Sequence, residues 1–81
     1  MFKNKNKDGS LNLCGAKITR LRKREKLSQN ALAKKLQLNG MDLDKNAIQR
    51  IECGRRFVTD MELKAFSNLF DVAMEDLVAE E

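Results

Sequence analysis

The sequence predicts an all-α protein, a compact domain of five short helices. Three observations point there. Proline is absent, and no stretch alternates apolar and polar residues as a strand with one wet face does. Apolar residues instead recur at spacings of three and four, the period of one helix face. One device also repeats along the chain: an apolar residue just before a helix cap, with a second apolar residue five positions later, where the two touch as a hydrophobic staple. The pairs are Leu27 with Leu32, Leu43 with Ile48, Val58 with Leu63, and Val72 with Leu77.

Residues 1–13 are polar, rich in Asn and Lys, and contain Asp8-Gly9-Ser10. They are expected to form a flexible basic arm ahead of a folded domain over 14–81. The first helix is expected over 15–26, with Cys14, Ile18 and Leu21 facing inward. Ser28 is a good N-cap for a second helix over 29–37, which turns Leu32, Ala33 and Leu36 inward. Asp44 caps a third helix over 45–52, with Ala47, Ile48 and Ile51 inward. Thr59 caps a fourth over 60–70 and, with Glu62, fits a capping box; Leu63, Phe66, Leu69 and Phe70 form its inner face. A fifth helix over 74–80 has only Ala73 as a cap, although Glu75 and Asp76 suit the positive end of its dipole; Met74, Leu77 and Val78 face inward. Helices this short are unstable alone in water, so these faces must pack on one another.

Eighty-one residues make one domain. A domain of that size buries only about 60% of the surface its unfolded chain exposes, too little for a deep catalytic cleft. Charged residues make up 35% and apolar residues 42%, a balance that suits a soluble fold over a disordered one. No apolar run approaches the roughly 20 residues that span a bilayer, and the basic start is not followed by the apolar stretch of a secretory signal. A cytoplasmic protein is expected. There is no histidine, and two cysteines, Cys14 and Cys53, make no metal-binding spacing, so neither metal nor cofactor is expected. Two buried or half-buried thiols are the expectation for them, with a disulfide as the alternative. Scattered acids without a histidine form no acid–base pair or activated nucleophile, so the chain does not read as an enzyme.

The charge is polarised. Residues 1–26 hold nine Lys or Arg against two acids, residues 27–60 six against four, and residues 61–81 one against six. A basic end of this kind suits a polyanion.

The third helix has the division of faces that a groove-reading helix needs. Its isoleucines point inward, and Lys45, Asn46, Gln49 and Arg50 are left outward, in a form able to meet base edges in a DNA major groove. Gln29 and Asn30 open the second helix, where side chains and backbone N–H groups hold a phosphate. Gly54-Arg55-Arg56 follows the third helix, with both arginines suited to phosphate oxygens; Lys17 and the lysines of the arm widen the electrostatic footprint. Phe2 is the only aromatic in the arm, so no stacking platform for RNA is evident.

Together these pieces resemble the phage repressor and Cro-type helix-turn-helix family, also called the xenobiotic response element family. The resemblance runs from Gly15-Ala16-Lys17-Ile18 to Leu77. It rests on Leu27-Ser28-Gln29 with Ala31-Leu32-Ala33, on Ile48-Gln49-Arg50-Ile51-Glu52 with Gly54-Arg55-Arg56, and on Leu69-Phe70-Asp71-Val72 with Asp76-Leu77. It implies a lambda-repressor-like domain without catalysis that binds a palindromic operator as a homodimer. It puts Lys45, Asn46, Gln49 and Arg50 at base-contacting positions, Gln29 at a phosphate-contacting one, and Arg55 and Arg56 in a backbone-contacting loop. It also implies an internal ion pair of Arg22 with Glu52. One departure stands out. The turn between the second and third helices, Gln37 to Leu43, is longer than the family's usual one, with Gly40 displaced; a bulged loop near Leu38 to Met41 is expected, as in a subgroup of the family.

The function expected is a sequence-specific double-stranded DNA-binding regulator of transcription, a repressor, reading the major groove with the helix over 45–52. The alternative is an antitoxin or other interaction module that binds a partner protein through the acidic C-terminal part, where Val72, Met74 and Val78 lie among the acids.

Overall fold

The computed structural model describes residue 6 and residues 8–79. The arm lysines Lys3, Lys5 and Lys7, and the expected end of the fifth helix at residue 80, fall outside the described residues. Five helices and no strand are present among the described residues: α1 (Gly15–Arg24), α2 (Gln29–Leu38), α3 (Lys45–Glu52), α4 (Asp60–Phe70) and α5 (Met74–Leu77). The all-α, five-helix prediction holds, and α3 and α4 have the predicted bounds.

Each expected cap forms. Ser28 accepts from the N–H of Ala31, Asp44 from Ala47, and Thr59 from Glu62, whose carboxylate reaches back to the Thr59 N–H to complete the capping box. Helix ends are also alike. After α1, α2, α3 and α4 the backbone turns left-handed at Lys26, Gly40, Gly54 and Asp71, with φ of 58°, 87°, 77° and 55°. The N–H of the next residue then returns to a carbonyl of the last helical turn: Leu27 to Arg22, Met41 to Leu36, Arg55 to Arg50, Val72 to Ser67. Glycine makes this turn at no steric cost, and two of the four sites have it. Lys26 does not, and its reversal explains why α1 stops at Arg24 and not at 26. α5 stops at Leu77, short of the predicted 80; its cap residue Ala73 offers no side-chain bond to hold a longer helix.

The long α2–α3 connection is different from the expected bulge. Leu38 is helical, so α2 absorbs part of the apparent insertion. Gly40 then ends α2 as Lys26 ends α1. Leu27 closes the α1 turn and also precedes the α2 cap, whereas Met41 closes the α2 turn and Leu43 precedes the α3 cap. The connection is therefore longer than the α1–α2 turn by Met41 and Asp42 alone. Leu43 is fully buried, and the Gln37 amide donates to its carbonyl at 3.0 Å.

The core gathers Ile18 and Leu21 from α1, Leu32 and Leu36 from α2, Ile48 and Ile51 from α3, Phe66 and Phe70 from α4, and Leu77 from α5. The two Phe rings stack with centroids 6.5 Å apart. Leu27, Leu63 and Val72 pack against this cluster. Small Ala33 is buried on α2, and α2 packs on α3. Met74 and Val78 are half-buried. Cys14 and Cys53 are free thiols. Cys14 is buried, which pushes its pKa up to about 11; Cys53, expected at least half-buried, is exposed because it follows the last turn of α3 on its outer side. No helix among the described residues is long and apolar enough to cross a membrane.

Candidate nucleic-acid interface

α3 has eight residues, about 12 Å of helix at 1.5 Å per residue. Ala47, Ile48 and Ile51 are buried on one side, the two isoleucines completely. Each buried isoleucine contributes about 1.5–3 kcal/mol toward holding α3 on the domain. Lys45, Asn46, Gln49 and Arg50 are all exposed. At 3.6 residues per turn these four fall within an arc of about 140° that the buried side chains do not enter. Asp44 lies next to them but is occupied as the cap, its carboxylate accepting from Ala47 N–H at 2.8 Å.

At the last residue of α3, Arg22 of α1 grips Glu52 with two bonds, Nε to Oε2 at 2.7 Å and an Nη to Oε1 at 3.0 Å. The remaining Nη donates to Leu27 O at 2.8 Å, which ties down the start of α2. Gln29 joins them: its amide N–H₂ donates to Glu52 Oε1 at 3.1 Å. Burial pushes Glu52 toward a higher pKa, but the bonds from Arg22 and Gln29 outweigh it and hold the carboxyl below its usual range. The same bond raises the pKa of Arg22. Gln29 is thus half-buried with its amide nitrogen engaged, while its neighbour Asn30 is exposed. Lys17 is half-buried on α1.

The two arginines after α3 have separate surroundings. Arg55 is exposed, and its N–H donates to Arg50 O at 2.8 Å. Arg56, expected to point outward for phosphate, instead lays its guanidinium on Glu62 with bonds of 2.9 and 3.1 Å, and one Nη also donates to Phe57 O. That pairing holds the Glu62 carboxyl below its usual range. The arrangement brings Lys45, Asn46, Gln49, Arg50 and Arg55 to exposed positions on and just after α3, and turns Arg56 toward α4.

Two residues that the sequence reading passed over also shape this region. Glu62 was legible as half of a capping box, but not as the partner of Arg56. Asn12 stood in the expected arm, yet its carboxamide donates to Ile51 O and Arg56 O at 3.0 and 2.9 Å and accepts from Gly15 N–H at 2.8 Å. Cys14 holds the N-cap position and makes no side-chain cap bond, so Asn12 bonds the first N–H of α1 from two residues further back, where no capping pattern points to it.

A short pair of helices, α2 and α3, packed together with one polar face of the second left uncovered, is the geometry of a helix-turn-helix. The sequence profile of a helix-turn-helix domain matches residues 14–80. The chain belongs to the helix-turn-helix domain family. This family binds DNA, and its profile spans all five helices of the fold. No curated protein and no solved structure matches the chain significantly.

Proposed function

We propose that this helix-turn-helix protein is a sequence-specific regulator of transcription, a repressor of the phage repressor and Cro type, that reads the DNA major groove with α3. The observation that carries this reading is the exposed arc of Lys45, Asn46, Gln49 and Arg50 on a helix whose other side is sealed in the core. Asn46 and Gln49 suit bidentate bonding to adenine, and Lys45 and Arg50 suit the O6 and N7 of guanine. Gln29, Asn30, Arg55 and Lys17 hold phosphates and fix the register without reading sequence; Arg56, expected in the same role, is spent on Glu62. Gln29 does this through its backbone N–H at the start of α2 and the second hydrogen of its amide nitrogen, the first being held by Glu52. The protein acts in the cytoplasm, as a homodimer on a palindromic operator, since one short helix reads too few base pairs to find a unique site.

A second reading makes the chain an antitoxin or interaction module. It draws on Asp71, Glu75 and Asp76, all exposed near half-buried Val72, Met74 and Val78 on the acidic end.

Selection of bound duplexes from a random pool at about 0.15 M salt tests the first reading. Enrichment of a palindromic site is the expected result. Recovery of no preferred sequence, with a partner protein co-purifying instead, rejects it for the second.

A further inference from the structure

We propose that Asn12 is a positioning residue for DNA-backbone binding: it holds the α3–α4 loop so that Arg55 is aimed at a phosphate, without itself touching DNA. The proposal rests on the DNA-reading function above and names a part of it that α3 does not supply.

Residues 10–12 run as a strap over the end of α3. The Leu11 N–H donates to Gly54 O at 2.8 Å. The Asn12 amide nitrogen donates to Arg56 O at 2.9 Å and to Ile51 O at 3.0 Å. The carbonyls on both sides of Arg55 are therefore tied to the strap, and the Arg55 N–H is tied to Arg50 O. The backbone of Arg55 is fixed from three directions, and only its exposed side chain is left to choose a rotamer. Orientation of the Asn12 amide follows from its partners. Reversed, it would set its oxygen against two carbonyls and its N–H₂ against the Gly15 N–H.

The backbone is shaped for this contact. A Cβ at Gly54 would sit 2.8 Å from the Ser10 Cβ, and one at Gly15 only 2.3 Å from Ile51 O. Glycine at both places lets the strap and the start of α1 close on the end of α3. Asp8 stiffens the strap further, accepting from the N–H and hydroxyl of Ser10 at 2.9 and 2.7 Å. A loop held in its bound shape before DNA arrives does not spend binding energy on being ordered. Arg56 cannot stand in for Arg55, because Glu62 occupies its guanidinium fork.

The test uses the full chain, the duplex enriched in the selection experiment, and a salt series read by fluorescence anisotropy. Circular dichroism fixes a temperature at which every variant is folded. Asn12→Asp keeps the acceptor for Gly15 N–H and removes both donors. It should weaken binding about tenfold, the equivalent of one misplaced charge-assisted contact. The slope of log K against log salt should become shallower by about 0.9, one phosphate. In an Arg55→Ala background the same substitution should change neither quantity. Leu11→Pro, which removes the donor to Gly54 O together with the Leu side chain and leaves the Asn12 bonds in place, should act the same way beside a Leu11→Ala control that keeps the N–H, and carries the comparison if the Asp variant does not fold. A folded Asn12→Asp protein with unchanged affinity and slope overturns the proposal. So does an equal loss with and without Arg55, the mark of a charge acting on DNA directly. If the unaltered chain binds no duplex at all, the proposed function itself falls, and this inference with it.

Discussion

Arg22 and Glu52, thirty residues apart in the chain, meet in a two-bond ion pair with side chains only 12% and 7% exposed. The pair joins the first helix to the end of the third, and Gln29 brings in the second. Three helices are thereby set in register, among them α3, whose exposed face the proposed function directs at DNA.

Removing one member strands the other in a place it cannot be hydrated. Arg22→Ala should cost about 3–5 kcal/mol of stability, whereas Arg22→Met with Glu52→Leu should cost much less, because no unpaired charge remains. Urea unfolding of both proteins decides this. Equal losses would mean that water reaches the carboxylate when its partner is gone.

Acid should unfold the protein through its paired glutamates. Glu52 and Glu62 both ionise more easily in the folded chain than at the ordinary value of 4.5. The unfolded chain therefore binds more protons over this range, and stability rises with pH. Their contribution is fully present above about 4.5 and is lost as pH falls through the lowered folded values. Urea midpoints across an acidic pH series should be level near neutrality and fall below that point, less steeply in Glu52→Gln. A Glu52→Gln profile with the same acid drop would contradict the assignment.

Lys26 occupies a left-handed backbone position with φ of 58°. For a side chain with a Cβ this costs about 1–2 kcal/mol, part of which glycine forfeits through its freer unfolded chain. Lys26→Gly should raise stability by about 0.5–1 kcal/mol, seen as a Tm higher by several degrees. A Tm at or below that of the unaltered chain would show that the lysine side chain supplies more than its backbone costs.

The exposed residues should divide by what they do to sequence preference. Asn46→Ala and Arg50→Ala should relax base choice at single positions, by about 1–3 kcal/mol of discrimination. Arg55→Ala should weaken every sequence alike and leave stability unchanged. Arg56→Ala should lower the melting temperature, since it leaves the buried Glu62 carboxylate without its partner. Competition binding over a panel of single-base operator variants, with thermal melts alongside, separates the three behaviours.

Much of this protein is written locally. The caps Ser28, Asp44 and Thr59, the glycine turn at Gly54, and the inner faces of α1 to α4 are each set by residues within one or two turns of one another. Such patterns can be read before any fold is known, and they locate α3 and its exposed arc. Where the local signal was weak, so was the reading. Lys26 carries no sign of a left-handed turn, and the stretch from Leu38 to Met41 reads as a bulged loop although α2 runs on to Leu38.

What the tertiary structure alone decided is which polar side chains find one another across the chain. Asn12 belongs to a stretch with no apolar period, and nothing beside it announces that its amide will close over Ile51 and Arg56. Arg55 and Arg56 are identical neighbours, yet one is exposed and the other lies on Glu62. The reason is the range of the forces involved. Helix periods and caps depend on near neighbours along the backbone, whereas a hydrogen bond forms only between groups that the packed core has already brought within about 3 Å.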